Sequence, residues 1–196
     1  MTEEKKINIE TKNVDLRHSE QLEDWFSAIN PRNTVPVLVS KENNILTVIQ
    51  ENEKLGFVGS PINVDQSIMD QIIADKKVPI IAPLGLDKNY QTYNVNADTA
   101  AGYIAKKINA RRLIILSDVE GVLDKNKNLI PEINSESIKD LIYNETISGG
   151  MIPKINNCLD VASNGVKGVV IIDGRKNHSV LFELLSDEGS GTLIRQ

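Results

Sequence analysis

A chain of 196 residues, 40% hydrophobic and 25% charged, has the make-up of a folded domain and excludes a disordered chain, a collagen-like repeat and a disulfide-built mini-scaffold. Its 22 basic and 27 acidic residues leave a net charge of -5, so no basic excess marks nucleic acid or an anionic membrane surface as a partner. The lone Cys158, the lack of an apolar run near the roughly 18–20 residues of a membrane span, and a start, Met1-Thr-Glu-Glu-Lys-Lys6, without a secretory apolar stretch predict a cytoplasmic protein.

Residues 1–34 are polar, with one short helix expected over 22–29 around the only tryptophan, Trp25. They are set apart as an atypical leading segment ahead of a domain expected over 35–196. Apolar runs at 35–40 and 45–49 read as two strands joined across Asn43-Asn44, a hairpin signal. From residue 78 onward short apolar runs alternate with helical patterns, the pattern of a mostly parallel sheet covered by helices. Strands are predicted at 78–83, 113–116 and 169–172, with a last one at 192–195. Helices are predicted at 97–108, where Ala97, Ala100, Ala101, Ile104 and Ile108 share a face, at 135–143, at about 150–163, and at 178–185. Pro153 is tolerated in the first turn of the third helix, and Asn164-Gly165 ends it.

Four stretches between these elements carry polar or glycine-rich chemistry. Asn94-Val-Asn96-Ala-Asp98 lies between a strand and a helix start, at the carboxyl edge where open α/β sheets bind ligands. Helix capping by Asn96 or Asp98 accounts for part of the pattern. The alternation of Asn94, Asn96 and Asp98 also aims polar groups in one direction, with Asp98 available to hold a lysine or a metal ion. Ser148-Gly149-Gly150-Met-Ile-Pro-Lys154 places two glycines and a lysine at a helix N-terminus, an arrangement suited to phosphate, although a plain glycine turn with a solvated lysine has the same letters.

Ser117-Asp118-Val119-Glu120-Gly121-Val122-Leu123-Asp124 follows a strand and reads either as a nucleotide-lining loop or as a strand-ending turn. Asp173-Gly174-Arg175 closes the next strand. His18 and His178 have no cysteine or carboxylate at metal-ligand spacing, so no zinc site is expected. There is no GxxxxGK[ST], GxSxG or GxGxxG motif.

Taken in order, Asn94-Val-Asn-Ala-Asp-Thr-Ala-Ala101, Leu116-Ser-Asp-Val-Glu-Gly-Val-Leu-Asp124, Ile147-Ser-Gly-Gly-Met-Ile-Pro-Lys154, Ile171-Ile-Asp-Gly-Arg175 and Asp187-Glu-Gly-Ser-Gly-Thr192 resemble the acetylglutamate kinases of the amino acid kinase family. The resemblance runs from about residue 35 and includes Leu55-Gly-Phe-Val-Gly59. It implies a three-layer αβα sandwich, with a substrate-side hairpin at 35–60 and an ATP-binding half at 78–196. The implied activity is ATP- and Mg2+-dependent phosphorylation of the side-chain carboxylate of N-acetyl-L-glutamate in arginine biosynthesis.

By motif, Lys154 and Asp98 are the implied catalytic pair and Asn94 and Asn96 the substrate contacts. Ser117, Asp118, Val119, Gly121, Val122, Leu123, Thr146, Ile147, Ser148, Gly149 and Gly150 are the implied ATP contacts. His178, Glu188 and Gly189 resemble an arginine effector element, with capping by Asp187 and Gly189 as the alternative. The family's homo-oligomers make a homo-oligomer the expected state.

The front departs from the family pattern. No Lys-Tyr-Gly-Gly or His-Gly-Gly-Gly-Pro sequence occurs, and the first glycine is Gly56. Lys5, Lys6 and Lys12 lie near the start without a following Gly-Gly, and Arg17 and Arg32 match the family's substrate arginine only by elimination. The resemblance therefore predicts an N-terminally truncated member whose activity is weakened or lost. The alternative is a non-catalytic nucleotide-binding or regulatory remnant.

Overall fold

The computed structural model describes residues 34–37, as backbone, and residues 43–196. Of the two units into which the chain divides, 1–34 and 35–196, the second holds the elements that position the site. The helix expected over 22–29 lies outside the described residues, as do Lys5, Lys6, Lys12, Arg17, His18 and Arg32.

The α/β class holds, as an αβα sandwich. Strand β1 (Thr34–Val37) pairs with β4 (Val78–Ile81). Strand β2 (Leu46–Gln50) runs antiparallel to β3 (Gly59–Val64) and parallel to β5 (Leu84–Leu86), and β6 (Thr92–Asn94) runs antiparallel to β5. The hairpin expected across Asn43-Asn44 is therefore corrected. A strand has two edges, β3 and β5 occupy both edges of β2, and β1 is left to pair elsewhere.

Helix α1 (Gln66–Ala74) has no counterpart among the predicted elements. Asp65 caps it, its carboxylate accepting from the Ser67 N–H at 3.0 Å. The buried Met69 joins Leu46, Val48, Val64, Tyr93 and Val95 in the first apolar core.

The second four-stranded sheet has the order β7 (Leu113–Ser117), β9 (Val169–Asp173), β10 (Gly191–Arg195), β8 (Glu132–Asn134). β7 and β9 are parallel and in register from Leu113 beside Val169 to Ser117 beside Asp173. β10 runs antiparallel to β9 and parallel to β8, so the sheets are more mixed than strand–helix alternation implies. β9 is buried along its whole length, which explains its unbroken Val-Val-Ile-Ile run where a half-exposed strand would alternate.

Helices α2 (Ala97–Lys107), α3 (Ser137–Tyr143), α4 (Met151–Ser163) and α5 (Ser179–Leu185) match the predicted segments to within a residue or two. Ile155, Cys158 and Val161 of α4 have no exposed side-chain surface and pack with Ile171 and Ile194 in the second core. Burial pushes the Cys158 thiol up to about 12, so it is an inert core group, as its apolar setting predicted.

Two features place the helix ends. Short turns join α2 to β7 and α4 to β9, so each helix runs back along its strand, and its N-terminus lies toward the carboxyl edge of the parallel pair. The two helices also touch. A Cβ at Gly102 on α2 would stand 2.7 Å from Val161 Cγ2 on α4, so glycine is what lets the axes approach this closely.

Candidate functional site

The carboxyl edge brings the first helical turns of α2 and α4 together. Asn96 caps α2, its side-chain oxygen accepting from the Thr99 N–H at 3.1 Å and from the Thr99 hydroxyl at 3.3 Å. Asp98 follows in the first turn, where the positive end of the helix dipole favours a carboxylate. Lys154 sits in the first turns of α4, and its Nζ donates to Asp98 Oδ2 at 2.6 Å. The pair is partly shielded, with side-chain exposures of 21% and 30%. Two helix N-termini and one ammonium thus surround a single carboxylate, which leaves local positive character for an incoming anion.

In front of α4, Gly149 adopts φ +56. Gly149 and Gly150 are exposed, and no other part of the structure crowds the position where a Cβ would stand, so that side of each residue is open to an approaching group. Thr146 is held by Asn144, whose Oδ1 accepts from both its N–H (3.1 Å) and its hydroxyl (2.6 Å). Asn94 and Asn96 are exposed, with the buried Tyr93 and Val95 facing the opposite way, as the alternation predicted. Both readings of that motif operate together. Asn96 Oδ1 is spent on the cap, and Asp98 holds a lysine.

The parallel pair ends in a second polar group. Gly174 N–H donates to the Ser117 carbonyl at 2.8 Å, which sets the loop after β9 beside the loop after β7. Asp173, only 3% exposed, takes the Arg175 guanidinium in a bidentate pair, Nε to Oδ1 and NH2 to Oδ2, both 2.9 Å. Across the two loops Lys176 pairs with Glu120 at 3.0 Å. The Arg175 hydrogen bonds hold the Asp173 carboxyl down to about 2.

A carboxyl lowered on folding contributes stability that is complete above its unfolded value, about 4, and is lost as pH falls toward the folded one. Arg175→Ala is therefore expected to be less stable than the parent at neutral pH, with the gap closing between about pH 4 and about pH 2. Urea unfolding at a series of pH values checks this, and a gap unchanged across that window would exclude the pair as its cause.

The expected nucleotide residues divide into two sets. Ser117, Asp118, Val119 and Leu123 are at least partly accessible, and Ser148, Gly149 and Gly150 are exposed. Val122 and Ile147 are internal. Both side chains are in the core at 2% exposure, the Val122 N–H donates to Thr192 Oγ1 (2.8 Å) and its carbonyl accepts from Ile130, and the Ile147 N–H is bound to the Leu141 carbonyl. Gly121 is likewise internal, since with φ +146 a Cβ there would meet Thr192 Oγ1 at 2.5 Å. Val122 and Ile147 anchor their loops, while Val119 and Leu123 keep part of their surface accessible.

His178 stands at the N-cap position of α5 with φ +61, without a side-chain capping bond, and is exposed, as is Glu188, while the Gly189 N–H donates to Ser186 Oγ at 3.2 Å. The buried acid of this region is Glu183, which no motif marked. It is 7% exposed, pairs with Arg112 at 3.1 Å and accepts from the Ser190 N–H at 3.0 Å. Among the described residues no group of three or more His, Cys, Asp or Glu side chains is placed to hold a metal ion, and no helix is long and apolar enough to cross a membrane.

The sequence pattern of the amino acid kinase family matches residues 9–173, starting ahead of the residue-35 onset that the motifs suggested. The chain is 69% identical over 159 residues to the acetylglutamate kinase of Pelagibacter ubique strain HTCC1062, covering 81% of this chain and 55% of that protein. It spans about half the length of the curated relatives it matches. Among solved structures, smu.665 from Streptococcus mutans UA159 superposes with a TM-score of 0.73 at 26% identity, over 92% of this chain and 67% of that one. Carbamate kinase from Giardia lamblia, solved with AMP-PNP, superposes at 0.64 with 19% identity, over 91% and 67%, a likeness of fold alone.

Proposed function

The chain belongs to the amino acid kinase family, and from that premise we propose that its domain, residues 35–196, is built for transfer of the γ-phosphoryl of ATP to the side-chain carboxylate of N-acetyl-L-glutamate. The observation that carries this reading is the Lys154–Asp98 pair, set between two helix N-termini and beside the exposed Gly149 and Gly150. The 69% identity to a protein named acetylglutamate kinase supports the choice of substrate within the family.

Phosphoryl transfer asks a protein mainly for alignment and for positive charge where negative charge spreads in the transition state. Lys154 supplies that charge. Asp98 fixes the ammonium in direction, and the first turns of α2 and α4 add their dipoles. The acceptor carboxylate is already ionised at pH 7, so the chain needs no strong general base. Asn94, with the amide end of Asn96, faces the side where N-acetyl-L-glutamate would bind. Ser117, Asp118, Val119, Leu123, Thr146 and the main chain of Ser148 to Gly150 line the path for ATP. Mg2+, when bound, neutralises phosphate charge, and it would be carried on ATP. A homo-oligomer is part of this reading, and the exposed Phe182, Leu184 and Leu185 of α5 offer apolar surface for it. An effector role for His178, Glu188 and Gly189 toward arginine belongs to the same reading.

Incubation with ATP, Mg2+ and N-acetyl-L-glutamate, with hydroxylamine to trap acyl phosphate, is expected to yield hydroxamate that depends on all three. ATP at 100 times its Kd is expected to raise Tm by roughly 5–11 °C. Stabilisation by ATP with no hydroxamate would overturn the kinase reading in favour of a nucleotide-binding remnant.

A further inference from the structure

We propose that Asn157 is a positioning residue that holds Asp98 in register with Lys154; its catalytic meaning rests on the phosphotransfer reading of that pair. Asn157 follows Lys154 by three positions on α4, so both side chains leave the same face of the helix. Its Nδ2 donates to the main-chain oxygen of Asp98 at 3.0 Å. Helix geometry directs the Gly102 N–H to that same carbonyl, so the amide is a second donor, arriving from the neighbouring helix.

One face of α4 therefore holds Asp98 at both ends, its carboxylate through Lys154 and its backbone through Asn157. The contact needs the short distance between the helices. A Cβ at Gly102 would crowd Asn157 Oδ1 at 3.3 Å as well as Val161. Further along the same helices Lys106 of α2 pairs with Asp160 of α4. That second tie fastens the far ends of the helices without Asn157. Asn157 thus acts on the ends that carry the catalytic pair, and its loss is expected to let Asp98 swing relative to the ammonium while the helices stay docked.

The test uses the full chain and its lysines as reporters. The parent, Asn157→Ala, Asn157→Leu and Asp98→Asn are acetylated with an N-hydroxysuccinimide ester, and the rates at Lys154 and Lys106 are read by peptide mass spectrometry. Alanine is the mildest substitution in a helix and leucine fills more of the vacated volume, so the two variants cover each other against misfolding. Both are expected to speed acetylation of Lys154 about fivefold, the factor that corresponds to one ordinary hydrogen bond, with Asp98→Asn at least as fast and Lys106 unchanged.

Parent-like rates at Lys154 in both Asn157 variants would overturn the assignment. So would a matching rise at Lys106, which would mean that the helices had simply parted. No nucleotide or substrate enters this measurement, so its failure is separable from that of the kinase reading. A hydroxamate-forming chain with unchanged Lys154 labelling rejects Asn157 alone, and faster labelling in a chain that forms no hydroxamate rejects the kinase reading alone.

Discussion

Lys154→Met is expected to lower hydroxamate formation from ATP and N-acetyl-L-glutamate by roughly 10²- to 10³-fold, the usual cost of removing one preorganised electrostatic partner of a transition state. Methionine keeps the length and much of the apolar stem of lysine, so the change isolates the ammonium. Its loss also strands Asp98, whose only side-chain partner in the described structure is Lys154 at 2.6 Å. The stranded carboxylate would then repel the incoming phosphates, which adds to the rate loss and weakens ATP binding. Rate and ATP affinity measured together check this. A variant that retains more than a tenth of the parent rate would place the essential positive charge on another residue. Asp98→Asn should lose less, because it disorders the ammonium without removing it.

Thr192→Val is expected to cost about 2–4 kcal/mol of stability and to lower Tm by roughly 4–16 °C. The Thr192 hydroxyl is fully buried, accepts from the Val122 N–H at 2.8 Å and donates to the Ile130 carbonyl at 2.7 Å. Valine has nearly the same shape and can do neither, so two main-chain groups are left without this partner, although Ile130 N–H still reaches the Val122 carbonyl. The affected backbone is the loop after β7, whose Ser117, Asp118 and Val119 are proposed to line the path for ATP. ATP stabilisation should therefore fall along with Tm. Thermal unfolding with and without ATP reads both. A Tm within about 1 °C of the parent would mean that water or a shifted backbone replaces the hydroxyl.

Legibility followed the range of the interactions. β9 is a run of four β-branched apolar residues buried on both faces, and α4 carries Ile152, Ile155, Leu159 and Ala162 at helical spacing, so both were readable from local pattern alone. β3 and α1 have no counterpart among the elements that local pattern predicts. β3 contains Pro61 and half-exposed positions, and its place is settled by β2 on its edge. The hairpin at Asn43-Asn44 failed for the same reason, since a turn signal says that a chain can reverse and not which strand it meets.

The site divides along the same line. Residue types and spacing alone put a carboxylate in the first turn of one helix and a lysine in the first turns of another, because capping chemistry and helical periodicity are properties of neighbours in the chain. That Asp98 and Lys154, 56 positions apart, meet at 2.6 Å was decided only by the tertiary structure. So were the tie from Asn157, the turning of Val122 and Ile147 into the core, and the burial of Glu183 against Arg112. Each depends on how closely two helices or a loop and a strand approach. For the two helices and for the Val122 loop, that distance is set by packing around a missing Cβ at Gly102 and Gly121, which a one-dimensional pattern does not contain.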